Sequence, residues 1–190
     1  MVKAIILDRD GTINVEKDYL HRIEDFEFEE GAKEGLKILS SLGYILVVVT
    51  NQSGIARGYY TEEDLVILNE YIKKILLKDG VEIKAFYYCP HHLEKGIGKY
   101  RIDCNCRKPK TGMLDEAVKD FDIDRESSFM VGDNISDIKA GLNAKIQPIL
   151  VKTGHGLEHV EEVDRLGIKT FNSLYDFAIY LKNKAFNNGN

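Results

Sequence analysis

The chain has 190 residues, of which 44% are hydrophobic and 30% are charged, a composition typical of one globular domain. Its formal net charge of −5 argues against a nucleic-acid-binding surface, which needs an excess of lysine and arginine to neutralise phosphates. No apolar run approaches the roughly 18 residues that a membrane span requires, and no signal peptide is recognisable, so we expect no membrane partner and a cytoplasmic location.

The first predicted element is an apolar strand over residues 2–7, which leads directly into Asp8-Arg9-Asp10-Gly11-Thr12. Residues i and i+2 of a strand share a face, so Asp8 and Asp10 are expected to converge on one site. Ligands of open α/β sheets bind at the carboxyl ends of the strands. Two carboxylates so close repel each other, and a bound cation would relieve that repulsion.

The next elements follow a strand–helix alternation. A polar loop over residues 13–30 precedes a helix over 32–42, and the continuous apolar run 44–49 is typical of a strand buried on both faces of a parallel sheet. That strand ends in Thr50-Asn51-Gln52-Ser53. Thr61 is a suitable N-cap for a helix whose apolar side chains recur at helical spacing, and residues 83–88 form a third predicted strand.

The remaining elements continue the same alternation. Helices are predicted over 112–120, 135–143, 160–166 and 173–184, with strands over 127–131, 148–151 and 169–171. This order predicts an α/β fold with a doubly wound, mainly parallel, Rossmann-like sheet. We expect a single domain over residues 1–186, a disordered tail at 187–190, and a monomer, because no exposed apolar stripe requires a dimer.

All three cysteines lie within residues 89–107, which we call the cysteine segment. Cys89, His91, Cys104 and Cys106 form a C-x-H…C-x-C pattern, and four such ligands in a closed site are typical of structural zinc. His92 competes with His91 as the nitrogen ligand, and three free thiols are the alternative. Such clustering favours a reducing compartment over a disulfide framework.

Three predicted strand ends carry complementary polar groups: Asp8 and Asp10, then Thr50 and Asn51, then Asp133 and Asp137. With Lys108, this ordered set resembles the four motifs of the haloacid-dehalogenase-like (HAD-like) phosphatase superfamily. The resemblance implies that Asp8 attacks phosphorus and Asp10 is the general acid and base, while Thr50 and Lys108 hold phosphoryl oxygens. It also implies Mg²⁺ bound by Asp8, Asp133 and the backbone carbonyl of Asp10. Asp137 has either a supporting role there or a charge role at its own helix.

The cysteine segment, with Arg107-Lys108-Pro109 after it, resembles the small histidinol-phosphatase-type branch of that superfamily. Within that branch, the loops at 8–14, 50–58 and 87–92 resemble those of phosphatases that act on a sugar bisphosphate. That resemblance implies heptose 1,7-bisphosphate as the substrate, cleaved at its 7-phosphate in nucleotide-activated heptose synthesis. The implied substrate contacts are Glu16, Lys17, Asp18, Tyr19, Thr50, Asn51, Gln52, Ser53, Arg107 and Lys108. Some family members carry lysine where this chain has Asn134, which leaves the role of that position open.

Two alternatives remain. Histidinol phosphate would keep the chemistry and change the substrate, and a phospho-accepting signalling module would hold its phosphate instead of turning over. Neither interval that admits a cap domain in larger superfamily members, 12–50 or 88–108, has room for one, so the site is expected to be capless and shaped by loops.

Overall fold

The computed structural model describes residues 1–188 of the chain. The strands are β1 Ala4–Leu7, β2 Ile45–Asn51, β3 Ile83–Cys89, β4 Phe129–Gly132, β5 Gln147–Val151 and β6 Thr170–Phe171. The α-helices are α1 Ala32–Ser41, α2 Ser53–Ala56, α3 Glu62–Lys78, α4 Gly112–Phe121, α5 Ile135–Asn143, α6 Val160–Arg165 and α7 Leu174–Asn188. Short 3₁₀ turns occupy Ile23–Asp25, Gly98–Tyr100 and Gly156–His159.

The strands form one sheet in the order β3-β2-β1-β4-β5-β6, and every neighbouring pair is parallel. This arrangement confirms the predicted doubly wound α/β fold. Leu7, the last residue of β1, pairs with Val48 of β2 on one side and with Val131 of β4 on the other. The residue that follows β1 therefore emerges between the ends of β2 and β4, where the other predicted site residues lie.

Helices cover both faces of the sheet, and alternate residues of β1 divide between them. Ile5 and Leu7 pack with α1, α3 and α7, whereas Ala4 and Ile6 pack with α4 and α5. Every residue of β1 is fully buried. A strand buried on both faces reads as a continuous apolar run, which explains why the sequence pattern located β1 and β2.

The structure changes several predicted boundaries. β2 extends through Asn51, so Thr50 and Asn51 are the last residues of the strand and not part of a following loop. The four-residue α2 was not predicted. α7 continues through residues 187 and 188, which the sequence analysis assigns to a disordered tail, while residues 189–190 lie outside the described part of the chain.

No separate cap is visible in residues 1–188 between the strands that flank the site. The chain between β1 and β2 forms a 3₁₀ turn and α1, and the chain between β3 and α4 forms the cysteine segment with one 3₁₀ turn. Among the described residues, no helix combines the length and apolar character needed to cross a membrane.

Candidate active site

Asp8 and Asp10 follow β1 directly, and the side chain of Asp10 is held by donors from three residues. Arg9, itself fully buried, donates from Nη2 to both carboxylate oxygens of Asp10 at 2.9 and 3.0 Å. Asn14 donates to Oδ1 at 2.9 Å and Gln52 donates to Oδ2 at 2.8 Å. The carboxylate of Asp10 is thereby fixed in one orientation beside Asp8.

Lys108 is buried at the centre of the site, between two carboxylates. Its Nζ lies 3.0 Å from Oδ1 of Asp8 and 2.6 Å from Oδ1 of Asp137, and it donates to the carbonyl of Val49 at 2.8 Å. The backbone of Lys108 is positioned by Asn51, whose amide donates to its carbonyl at 3.1 Å and accepts from its N–H at 3.0 Å. Asn51 therefore ties the lysine to β2, a role that sequence reasoning did not assign.

Asp133 follows β4 and packs against two loops. Its Oδ2 accepts a hydrogen bond of 2.8 Å from the backbone N–H of His155. A Cβ at Gly11 or at Gly154 would overlap this carboxylate, and both glycines have positive φ values, +74° and +53°. Glycine is required at both positions because they combine left-handed backbone geometry with close contact to Asp133.

Three carboxylates, those of Asp8, Asp133 and Asp137, place oxygen atoms within 4.8 Å of one another. Burial and the Asp137 charge raise the pKa of Asp8 to about 7, although Lys108 opposes the shift. Burial and the Asp8 charge raise the pKa of Asp133 to about 9. Burial disfavours the charge on Lys108, but Asp137 and Asp8 outweigh it and raise the pKa of Lys108 to about 12.

One ammonium facing three carboxylates leaves two negative charges uncompensated when all are ionised. A divalent cation with oxygen ligands neutralises that charge, so the donor set fits a magnesium site. Asp137 is the least available of the three. Its Oδ1 pairs with Lys108 and its Oδ2 accepts from the N–H of Asn134 at 3.0 Å. Asp8 and Asp133 are therefore the side chains left to hold a cation.

Asn134 and Asp137 both belong to the start of α5. Asn134 is its N-cap and accepts a hydrogen bond of 3.0 Å from the N–H of Ser136, and Asp137 completes a capping box with it. Asp137 thus contacts both places considered for it, the site through Lys108 and the start of its own helix. The amide of Asn134 caps the helix, a role that a lysine could not perform.

The carboxyl edge of the sheet opens into two adjoining cavities. The inner cavity has a volume of about 280 Å³, and the outer cavity of about 200 Å³. Asp10, Glu16, Asn51 and His155 line both. The inner cavity is also lined by Asp8, Thr50, Arg107, Lys108, Asp133, Asn134 and Ser136, and the outer cavity by Asp18, Tyr19, Gln52, Ser53 and Tyr60.

These linings include every predicted substrate contact except Lys17. Lys17 pairs with Glu27 at 3.0 Å and donates to the carbonyl of Asp25 at 2.9 Å, so its ammonium is engaged within its own loop. The substrate contact predicted for Lys17 stays a prediction that these cavity linings do not include. Glu16 does reach the site, and burial and the Asp10 charge raise its pKa.

The cysteine segment brings its four predicted ligands together. Sγ of Cys89 lies 3.4 Å from Sγ of Cys104 and 3.8 Å from Nδ1 of His91, which is 3.4 Å from Sγ of Cys106. Zinc–sulfur bonds of about 2.3 Å in a tetrahedron give ligand separations of this size, so the four atoms fit a closed zinc site. His92 is not in this group, because its Nδ1 instead accepts from the N–H of Lys95 at 3.2 Å.

Sequence reasoning missed Arg9 and Asn14, which orient Asp10, and did not foresee that Gln52 also does so. It also missed Thr153, which donates to the carbonyl of Gly11 at 2.6 Å and thereby docks the loop carrying His155. The available signal for Arg9 was its position between two motif aspartates, whereas its burial is visible only in the fold. The loop after β5 gave no signal, because its contacts with residues 142 positions away exist only in the folded chain.

Comparisons with known proteins agree with this geometry. A family model described as HAD-hydrolase-like matches residues 105–176. The D-glycero-beta-D-manno-heptose-1,7-bisphosphate 7-phosphatase of Pasteurella multocida is 53% identical over 155 residues, covering 81% of this chain and 84% of that protein. A D-glycero-alpha-D-manno-heptose-1,7-bisphosphate 7-phosphatase of Photorhabdus laumondii is 46% identical over 155 residues, covering 81% of this chain and 85% of that protein.

A solved structure extends the similarity to the whole fold. The crystal structure of the D,D-heptose 1,7-bisphosphate phosphatase of B. bronchiseptica, complexed with magnesium and phosphate, superposes with a TM-score of 0.85 and 29% identity. The match covers 96% of this chain and 99% of that one. The chain therefore belongs to the heptose-1,7-bisphosphate 7-phosphatase family of HAD-like hydrolases.

Proposed function

We propose that the protein is a Mg²⁺-dependent phosphatase that removes the 7-phosphate of D-glycero-beta-D-manno-heptose 1,7-bisphosphate, a step in the synthesis of nucleotide-activated heptose. The observation that carries the proposal is the arrangement of Asp8, Asp10 and Lys108 around the inner cavity, in a chain 53% identical to a phosphatase named for this beta-anomeric substrate. A relative named for the alpha anomer is 46% identical, so the choice of the beta anomer rests on the higher identity to the beta-named relative.

The chemistry follows from the side chains that line the inner cavity. An oxygen of Asp8 attacks phosphorus and the bond between phosphorus and the sugar oxygen breaks, giving an aspartyl-phosphate and an alcohol. Asp10 gives its proton to the departing oxygen and then takes one from the water that hydrolyses the intermediate. Lys108 and Thr50 hold the phosphoryl oxygens, whose charge must be stabilised throughout.

We infer that the cation is Mg²⁺, bound by the side chains of Asp8 and Asp133 and by the backbone carbonyl of Asp10. When bound, it supplies positive charge to the phosphoryl oxygens and to the two carboxylates. The raised pKa values of Asp8 and Asp133 support this, since burial first and neighbouring carboxylates second disfavour their charged forms, and a bound cation would favour those forms.

The two cavities divide the substrate. We assign the phosphate to be cleaved to the inner cavity, and the sugar with its second phosphate to the outer cavity. Arg107 in the inner cavity and Arg57 beside the outer cavity are available for the two phosphates, because within residues 1–188 no carboxylate oxygen lies within 4.0 Å of either guanidinium. Arg57 lies 5.6 Å from the ring of Tyr19, which lines the outer cavity.

We propose that Cys89, His91, Cys104 and Cys106 bind one structural Zn²⁺. Arg107 donates to the carbonyl of His91 at 3.2 Å, so the metal would hold the loop that presents Arg107 to the inner cavity. A cluster of reduced thiols fits a reducing compartment, which supports the expectation of a cytoplasmic enzyme. We also expect the enzyme to act as a monomer.

Phosphate release with Mg²⁺ from a panel of substrates tests the proposal. The panel holds heptose 1,7-bisphosphate in both anomers, fructose 1,6-bisphosphate and histidinol phosphate, and the variants are Asp8→Asn and the surface control Asp164→Asn. We expect preference for the beta-heptose substrate, lost in Asp8→Asn and kept in Asp164→Asn.

Other outcomes identify which part of the proposal fails. Preference for the alpha anomer or for histidinol phosphate would keep the mechanism and overturn the substrate. A stable phosphorylated protein without turnover would favour the signalling alternative. Arg57→Gln is expected to raise KM for the bisphosphate and leave KM for histidinol phosphate unchanged, because only the bisphosphate carries a second phosphate.

A further inference from the structure

A buried chain of hydrogen bonds links Tyr60 to Asp10 through Gln52. The hydroxyl of Tyr60 donates to Oε1 of Gln52. Nε2 of Gln52 then donates to Oδ2 of Asp10 at 2.8 Å and to Oγ1 of Thr50 at 2.9 Å. Tyr60 and Gln52 are only 6% and 3% exposed, so water competes little for these bonds.

The direction of the chain follows from the chemistry of its members. Burial raises the pKa of Tyr60, so its hydroxyl keeps its proton and is able to donate. With the carbonyl of Gln52 engaged by that proton, the NH₂ group of Gln52 must face Asp10 and Thr50. A rotated amide would instead place its carbonyl oxygen against the carboxylate of Asp10, an arrangement of two acceptors.

Two neighbours hold the Tyr60 ring in the place from which it reaches Gln52. The imidazole of His21 stacks on the ring with centroids 4.9 Å apart and an angle of 8°. On Gly54, a Cβ would overlap the ring, although its φ is not in the left-handed region. Gly54 is therefore explained by the close approach of Tyr60 and not by backbone conformation.

We propose that Tyr60 is a positioning residue for phosphoryl transfer, which acts by locking the amide of Gln52 so that its NH₂ group holds the general acid–base Asp10. Arg9 donates to both oxygens of Asp10 and Asn14 donates to Oδ1, and Gln52 is the side chain from outside the 8–14 loop that donates to Oδ2. Because Gln52 donates to Oγ1 of Thr50, the hydroxyl proton of Thr50 stays free for a phosphoryl oxygen. This inference rests on the proposed phosphatase mechanism.

The test separates help for the leaving group from general damage to the site. A sugar alkoxide needs a proton from Asp10 to depart, whereas the phenolate of p-nitrophenyl phosphate departs without one. We expect Tyr60→Phe to lower kcat/KM, which reports the steps up to departure of the leaving group, about 10-fold or more for the sugar phosphate and less than about 3-fold for p-nitrophenyl phosphate, with KM for the sugar phosphate little changed. Tyr59→Phe, which removes the hydroxyl of the exposed neighbouring residue, is expected to change neither.

Equal losses of kcat/KM with both substrates, or no loss with either, would overturn the proposal, and so would a change in kcat/KM that comes from KM alone. If Tyr60→Phe fails to fold, as judged by its thermal transition, Gln52→Met decides the question, since it removes the same donor to Asp10 and should show the same leaving-group dependence. The comparison uses any sugar phosphate that the wild-type enzyme hydrolyses, so a wrong heptose assignment is distinguishable from a wrong role for Tyr60. Absence of turnover with every substrate would overturn both proposals.

Discussion

Replacing Lys108 by methionine removes a buried cation from between two carboxylates. Asp8 and Asp137 lie 3.0 and 2.6 Å from its ammonium, and Asp137 is fully buried. Breaking such a pair leaves uncompensated buried charge, which typically destabilises a protein by about 3–5 kcal/mol. For a chain of this size each kcal/mol lowers Tm by roughly 2–4 °C, so we expect a fall of about 6–20 °C.

The loss should depend on pH and should extend to catalysis. Without Lys108, the pKa of Asp8, already raised to about 7 by burial, rises further. A carboxyl whose folded pKa is raised stabilises the folded state below its unfolded pKa, and that stability is lost as pH rises through the folded value. The deficit in Tm should therefore be larger at pH 8 than at pH 5, and kcat should fall about 100- to 1,000-fold because a phosphoryl-oxygen donor is gone.

Calorimetry and phosphate-release kinetics measure both effects, with Lys110→Met as the matched control. Lys110 lies two residues after Lys108 and pairs with Asp103. In this pair the side chain of Lys110 is 43% exposed and that of Asp103 is 69% exposed. Exposed pairs of this kind add little stability, so the control should keep its Tm within about 2 °C. Equal falls in Tm for Lys108→Met and Lys110→Met would refute the account of Lys108 as a buried counter-charge. So would a fall in Tm for Lys108→Met that becomes larger as the pH is lowered.

Three further predictions concern the metal sites. Burial raises the pKa of Asp8 to about 7 and that of Asp133 to about 9, so the metal-free protein should lose stability as pH rises from 3.8 through these values. Mg²⁺ should therefore raise Tm more at pH 8 than at pH 6. Equal increases in Tm at the two pH values would contradict this. Cys104→Ser should lose the zinc that copurifies with the wild-type protein, as measured by elemental analysis, and full retention would exclude Cys104 as a ligand. Gly154→Ala should raise the Mg²⁺ concentration for half-maximal activity about 10-fold, because its Cβ would displace Asp133. Gly80→Ala, at φ +79° with open space around it, controls for backbone strain and should leave that concentration unchanged.

Local patterns were sufficient to predict the residues that the strands deliver to the site. Continuous apolar runs located β1 and β2, and parallel strands place their carboxyl ends at one edge of the sheet. The sequence was therefore sufficient to predict that Asp8, Thr50 and Asp133 lie in one site. The spacing of the cysteine segment likewise selected His91 over His92.

Features that depend on folded contacts between distant segments could not be predicted in this way. The family resemblance implied that Lys17 contacts the substrate, but its pairing with Glu27 of the same loop could not be predicted from the sequence. Gln52 was expected to contact the substrate, whereas its hydrogen bond to Asp10 depends on Tyr60 reaching it over Gly54 in the folded chain. The four residues of α2 are too few to show a helical period.

The pair of hydrogen bonds between Asn51 and the backbone of Lys108 continues the hydrogen-bond ladder beyond the point where the sheet ends. A side-chain amide offers a donor and an acceptor side by side, as a neighbouring strand would, whereas aspartate or leucine offers no such pair. These two bonds fix the position of Lys108 relative to β2, as the hydrogen bonds of a neighbouring strand would, although Lys108 lies in a loop. We therefore expect a change in loop length between His91 and Cys104 to leave the ammonium beside the nucleophile.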